Sequence, residues 1–115
     1  MRGCTIQREA LDHIDILHLE GSLDAYSFPQ LETALNELRE LEHHKVVLDC
    51  ARLEYISSAA LGALIGFARR ARERHGDLRL SGVSPKIQSI VELLGFHKIL
   101  EILPDVETAA ARFER

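Results

Sequence analysis

Two adjacent serines, Ser57 and Ser58, stand in the segment YISSAALGALIGFARRA, which runs from Tyr55 to Ala71. A serine just ahead of an apolar helical pattern can do two kinds of chemistry. Its hydroxyl can accept a hydrogen bond from a free backbone N–H of the first turn and cap the helix. It can also be phosphorylated, because a phosphate there meets free N–H groups and the positive end of the helix dipole. The residues that follow sharpen the choice. At about 100° per residue, Leu61, Leu64, Ile65 and Ala68 share one side and must face a core. Ala59, Gly62, Ala63 and Gly66, followed by Arg70, occupy the opposite side, which is almost bare of side chains. Each glycine inside a helix costs about 1 kcal/mol relative to alanine. Two on one face need a reason. Close packing against another element of the same domain is one. A smooth docking surface for another protein is the other. A phosphate on a serine at the start of this face would add roughly two negative charges beside it. A docked partner would be repelled or blocked. The Gly-x-x-x-Gly spacing does not indicate a membrane dimer, since Arg69 and Arg70 end the apolar run.

Other constellations are weaker. His43 and His44, with Glu40 one turn earlier, could touch a metal, but no further Cys or His joins them, and a solvated loop is the plainer expectation. His18, His75 and His97 are scattered. Asp49 ends an apolar run as a phospho-accepting aspartate does, but no acidic pair closes IDILHLEG to hold a magnesium ion. Asp49 is therefore expected to be a structural strand-end residue. No glycine-rich phosphate loop follows a strand, and LSGVS reads as a turn into a capped helix. No catalytic set, metal site or cofactor is expected, and the chain reads as a non-enzyme.

The elements that must position the serines can be read along the chain. CTIQRE and IDILHLEG suit two strands around a polar turn at Asp12 and His13, with Gly21 ending the second. Ser27 with Gln30 forms a capping-box pattern, and Pro29 fits the first turn of a helix whose apolar face is Phe28, Leu31, Leu35, Leu38 and Leu41. VVLDCA is a central strand covered on one or both sides, and RLEYI is a loop or short extended piece. The serine-led helix runs from about Ser58 to Arg74 and stops at Gly76. DLRLSGV is a strand. Ser84, Pro85 and Gly95 bound a third helix with Ile87, Ile90, Val91 and Leu94 on its core face. KILEIL is a short strand, and Pro104 and Asp105 start a last helix. Such alternation predicts an α/β layer architecture.

The 115 residues allow a single domain, 1–115, with a single core. Aromatics are 5% and tryptophan is absent, so the core must be aliphatic. A net charge of −4 argues against nucleic acid, which needs a basic face. Arg69, Arg70, Arg72 and Arg74 sit late in a helix, where cations suit the negative end of the dipole. Cys4 and Cys50 are too sparse for a secreted disulfide framework. No signal peptide or bilayer-spanning run is visible, so a cytoplasmic protein without membrane insertion is expected.

The stretch VVLDCARLEYISSAALGALIGFARRARERHGDLRLSGVSPKIQSIVELLGFHKILEI resembles the STAS domain of bacterial anti-sigma factor antagonists, and LEGSLDAYSFPQLETAL resembles the family's first half. The resemblance covers essentially the whole chain. It implies a mixed sheet of four to five strands with about four helices mainly on one face. It also implies a phosphorylation-switched module that binds an anti-sigma serine kinase and so frees the sigma factor, with a PPM-type serine phosphatase reversing the mark. The family's acceptor loop reads Asp-Ser-(Ser/Thr/Ala)-Gly-Leu-Gly. Here it reads Ser57-Ser58-Ala59-Ala60-Leu61-Gly62, which puts Ser58 on the phosphorylated position, with Ser57 as the alternative acceptor. Ser57 replaces the family's Asp and removes a fixed charge, and Ala60 replaces its first Gly. By the same resemblance Ser22, Asp24 and Tyr26 should lie beside Ser58 and join Ser57, Ala59, Gly62, Ala63 and Gly66 in the partner surface. A constitutive STAS adaptor or scaffold, in a signalling assembly or beside a transporter, is the other class that fits. The bare face could also join two copies of the chain as a homodimer.

Overall fold

The β-branched and leucine-rich runs pair into one five-stranded sheet, seen in a computed structural model that describes residues 3–113. The elements in order are β1 (Cys4–Leu11), β2 (Ile14–Leu23), α1 (Phe28–Glu40), β3 (Lys45–Ile56), α2 (Ser58–Arg72), β4 (Asp77–Ser81), α3 (Pro85–Leu93), a 3-10 turn (Phe96–Lys98), β5 (Ile102–Leu103) and α4 (Val106–Ala111). Spatial order follows chain order, β1-β2-β3-β4-β5. The β1–β2 pair is antiparallel and the other three pairs are parallel, so the sheet is mixed.

The apolar pattern explains where the helices sit. Leu17 and Leu19 of β2, Val46, Leu48 and Cys50 of β3, and Leu78 and Leu80 of β4 are buried on one face. Leu31, Leu35 and Leu38 of α1, Leu61, Leu64, Phe67 and Ala68 of α2, and Ile87 and Val91 of α3 pack on them. On the other face Ile14, Ile16, Val47 and Leu103 meet Ala109 and Ala110 of α4. Val46, Val47 and Leu48 are fully buried because helices cover both sides of β3 at that level.

Several local expectations change. Gly21 does not end β2; the strand continues to Leu23, whereas RLEYI takes the extended one of its two expected forms and carries β3 on to Ile56. Gly21 has φ +107, and a Cβ there would lie 2.2 Å from the Gly3 carbonyl oxygen. The glycine thus admits the start of β1 against the end of β2, where the Ser22 N–H donates to that same carbonyl at 2.9 Å. Ser27 precedes α1, but its side chain makes no cap bond, because the hydroxyl is turned inward. Leu41 follows α1 and is 51% exposed, and Leu94 at the end of α3 is 43% exposed, so neither joins the core. KILEIL is mostly turn; only Ile102 and Leu103 pair with β4. At the end of α2, His75 takes the left-handed conformation (φ 66), not Gly76. Gly76 is needed for space, since its Cβ would lie 2.0 Å from the His44 carbonyl oxygen.

Candidate docking and modification site

β2 and β3 are parallel, so their carboxyl ends finish side by side, with Ser22 opposite Tyr55 and Leu23 opposite Ile56. The Ser57 N–H continues this ladder by donating to the Leu23 carbonyl at 2.8 Å. The chain then turns into α2. Ser57 is the N-cap, with extended backbone (φ −82, ψ 161), and its Oγ accepts the Ala60 N–H at 3.1 Å. This divides the serine pair by function. The Ser57 hydroxyl is engaged in holding the helix start. Ser58 is the first helical residue, it is exposed, and its hydroxyl has no hydrogen-bond partner among the described residues. The N–H groups of Ser58 and Ala59 lie in the first turn, where no intrahelical acceptor exists.

The Ser22–Ser27 loop lies beside this helix start, through the Leu23–Ser57 bond. It is held from within. The buried Ser27 hydroxyl donates to the Ser22 carbonyl at 2.6 Å and accepts the Asp24 N–H at 3.1 Å. The Asp24 carboxylate accepts the N–H groups of Tyr26 and Ser27, both at 3.0 Å. The Ser27 N–H, and then the other donors of the turn, hold the Asp24 carboxyl below the usual carboxylate range. Ser22 itself is buried, whereas Tyr26 is 68% exposed. Of the three residues expected beside Ser58, Asp24 and Tyr26 thus reach the surface and Ser22 contributes backbone.

The bare face of α2 is open. Ala59, Gly62 and Gly66 are exposed and Ala63 is half-buried. A Cβ built on Gly62 or on Gly66 would meet nothing within 4 Å. Close packing inside the domain therefore does not explain these glycines. Leu61, Leu64, Ile65 and Ala68 on the other side are all buried, together with Ala60, Phe67 and Ala71.

Sequence reasoning missed two side-chain clusters. His18 bridges two carboxylates on the open side of the sheet, with Nδ1 2.7 Å from Asp49 Oδ2 and Nε2 2.7 Å from Glu9 Oε1. The hydrogen bond to Glu9, then that to Asp49, raises the His18 pKa. Asp49 is thus a mid-strand partner of His18 rather than a strand-end residue. His43 is not simply solvated, since its Nδ1 lies 2.8 Å from Oδ2 of the buried Asp15. Strand pairing places His18 opposite Asp49. Spacing along one chain carries no trace of that.

The comparisons with known proteins fit this geometry. The STAS domain profile matches residues 5–109. The chain belongs to the STAS family. An anti-sigma-B factor antagonist of Listeria monocytogenes is 32% identical over 97 residues, 84% of this chain and 84% of that one. The Bordetella bronchiseptica protein BtrV, named provisionally as an anti-sigma factor antagonist, is 33% identical over 106 residues, 92% of this chain and 91% of that one. The anti-sigma factor antagonist SpoIIAA in its unphosphorylated form superposes with a TM-score of 0.80 at 19% identity, over 94% of this chain and 95% of that one. At that identity the likeness speaks for the fold. This STAS domain has, among the described residues, no helix long and apolar enough to cross a membrane.

Proposed function

We propose that this STAS domain is an anti-sigma factor antagonist that works as a binding module. Its partner is an anti-sigma serine kinase, and phosphorylation of Ser58 ends the binding. The observation that carries the proposal is the division of the serine pair. Ser57 holds the helix start, which leaves an exposed Ser58 hydroxyl at the head of the face Ala59, Gly62, Ala63 and Gly66, where Ala63 leans on the core and the two glycines have open space around them among the described residues. Asp24, Tyr26 and the backbone of Ser22 flank it. The similarity to named antagonists supplies the class of partner.

The chemistry follows from the position. The kinase transfers a phosphoryl group from ATP to the Ser58 oxygen, which gives up its proton. The added charge of about −1.5 to −2 sits where the free N–H groups of the first turn and the helix dipole favour it, so the domain stays folded. The charge faces the partner instead, and repulsion and desolvation there weaken the complex. A PPM-type phosphatase removes the phosphate and restores binding. In this account the protein acts in the cytoplasm, and Ser58 rather than Ser57 is the acceptor, because a phosphate on Ser57 would sacrifice the cap.

One observation favours a second role, a constitutive adaptor: Ser57 and Ala60 replace the Asp and Gly that the family's acceptor loop carries. Affinity capture from the source organism with wild type, Ser58→Ala and Ser58→Asp as baits separates the two. The switch predicts a kinase-like protein retained by wild type and Ser58→Ala and lost by Ser58→Asp. Equal capture on all three baits would mean an adaptor.

A further inference from the structure

The arginines at the end of α2 differ in how they are paired. Arg72 is tied down, with Nε donating to Asp77 at 2.9 Å and Nη2 donating to the Ile99 carbonyl. Arg70 and Arg74 are left out of any such pair and line a groove of about 370 Å³ with Arg39 from the end of α1. Among the described residues no carboxylate oxygen lies within 4.0 Å of Arg39, Arg70 or Arg74.

Arg39 is the unusual member. Its guanidinium lies over the buried ring of Phe67, with Cζ 5.3 Å from the ring centre, and donates to the Asn36 side chain at 2.6 Å. Its Nε is buried and has no hydrogen-bond partner. Burial, and then the charge of Arg70, press the Arg39 pKa down from its ordinary value. A buried donor without an acceptor costs about 1–3 kcal/mol, and three neighbouring guanidinium groups repel one another. The repulsion is relieved by one kind of ligand, a carboxylate group brought from outside, which the exposed Arg70 and Arg74 can reach.

The groove also continues the open face. Gly62, Gly66 and Arg70 follow one another at four-residue spacing along α2, and Arg74 lies one further step on. A chain that docks on the glycines from the Ser58 end runs directly into the arginines.

We propose that this groove receives an acidic segment of the protein that docks on α2. The inference rests on the docking reading of that face. A protein segment fits better than nucleic acid for two reasons. Glu40 and Glu73 stand on the groove's own walls and confine the positive field to a few ångströms. The chain as a whole carries −4, which repels a polyphosphate backbone. The groove lies about 18 Å along the helix axis from Ser58, beyond the ~10 Å screening length of 0.1 M salt. Its affinity is therefore independent of the state of Ser58. The groove supplies steering and a standing anchor, and the serine supplies control.

The test uses the full chain labelled with 15N and a synthetic helical peptide of glutamate and leucine as probe. Titration is expected to shift amides of residues 67–74 and 39–44. The double reversal Arg70→Glu with Arg74→Glu should weaken the peptide by about tenfold or more, and added salt should weaken it in wild type. Both arginines are exposed, so an unchanged spectrum outside the groove shows that the variant is folded. The neutral pair Arg70→Ala with Arg74→Ala should fall between. Ser58→Asp should bind the peptide as wild type does.

Shifts elsewhere, or equal affinity in the charge-reversed variant, would overturn the proposal. So would tighter occupation of the groove by a thymidine oligonucleotide, or by a second copy of the chain as protein concentration rises. The two proposals fail separately. A chain that ignores the peptide but still loses its captured kinase on Ser58→Asp has a switch and no acidic anchor. A chain that binds the peptide but captures the same proteins on all baits has the anchor and no switch.

Discussion

Ser57 and Ser58 are neighbours in sequence, but only Ser57 is engaged in the helix start, and that difference can be measured on stability alone. Ser57 supplies the cap bond to the Ala60 N–H. Its replacement by alanine should cost about 1 kcal/mol. Ser58→Ala removes an exposed hydroxyl with no partner and should change stability by less than about 0.5 kcal/mol. Urea denaturation of the two variants checks both values, and equal losses would contradict the assignment of the cap. His18 makes a second prediction at this scale. Its pKa is raised in the folded protein, so its pairing with Glu9 and Asp49 stabilises fully below the unfolded value of 6.5 and is lost as pH rises through the higher folded value. The denaturation midpoint of wild type should therefore lose that contribution above about pH 6.5, and His18→Gln should show a smaller fall over the same range. His18 is more than a third exposed, so the effect is modest and salt-sensitive. The serine pair was visible in the sequence because capping chemistry is local. The histidine bridge was not, because it depends on which strands become neighbours.

At the scale of elements, α2 trades its own stability for a smooth exterior. Gly62 and Gly66 have ordinary helical backbone and open space around them. Gly66→Ala should therefore stabilise the isolated domain by about 0.5–1 kcal/mol. The same methyl should weaken partner binding if the proposed docking face is the one used, since it stands on that face. Thermal melting and a binding titration on one variant read both effects, and a gain in both would remove the glycines from the interface. Gly76 behaves in the opposite way. Any Cβ there collides with the His44 carbonyl, so Gly76→Ala should lower stability despite the better intrinsic propensity of alanine. The periodic faces of α1 and α2 were legible, because Leu31, Leu35, Leu38, Leu61 and Leu64 recur at helical spacing and are all buried. The ends were not. Leu41 and Leu94 keep the period but lie where the chain has already left the sheet. Ser27 has the residue type of a cap, yet its hydroxyl serves the Ser22–Ser27 loop instead, a contact that only the folded position of β2 creates.

For the whole molecule, the parallel arrangement of β2 and β3 matters most. It brings the Ser22–Ser27 loop and the start of α2 to one end of the sheet, while the arginine groove lies toward the far end of α2. The core that fixes this geometry is largely aliphatic, with the aromatic Phe67 among its largest fully buried side chains, and it is covered on both sides of β3, as the continuous VVL run implies. Leu64→Ala removes a fully buried side chain from it and should cost 2–5 kcal/mol, a large share of the stability of a domain this size. The central claim is that charge at Ser58 controls a protein contact without disturbing the fold. The measurement that meets it most directly is the dissociation constant of the captured kinase partner for the unmodified chain and for the chain phosphorylated at Ser58, at matched salt, with melting curves of both forms. The account predicts an affinity at least tenfold lower for the phosphorylated chain, with melting temperatures that agree within a few degrees. Equal affinities, or a lower affinity that comes with a collapse in melting temperature, would contradict it.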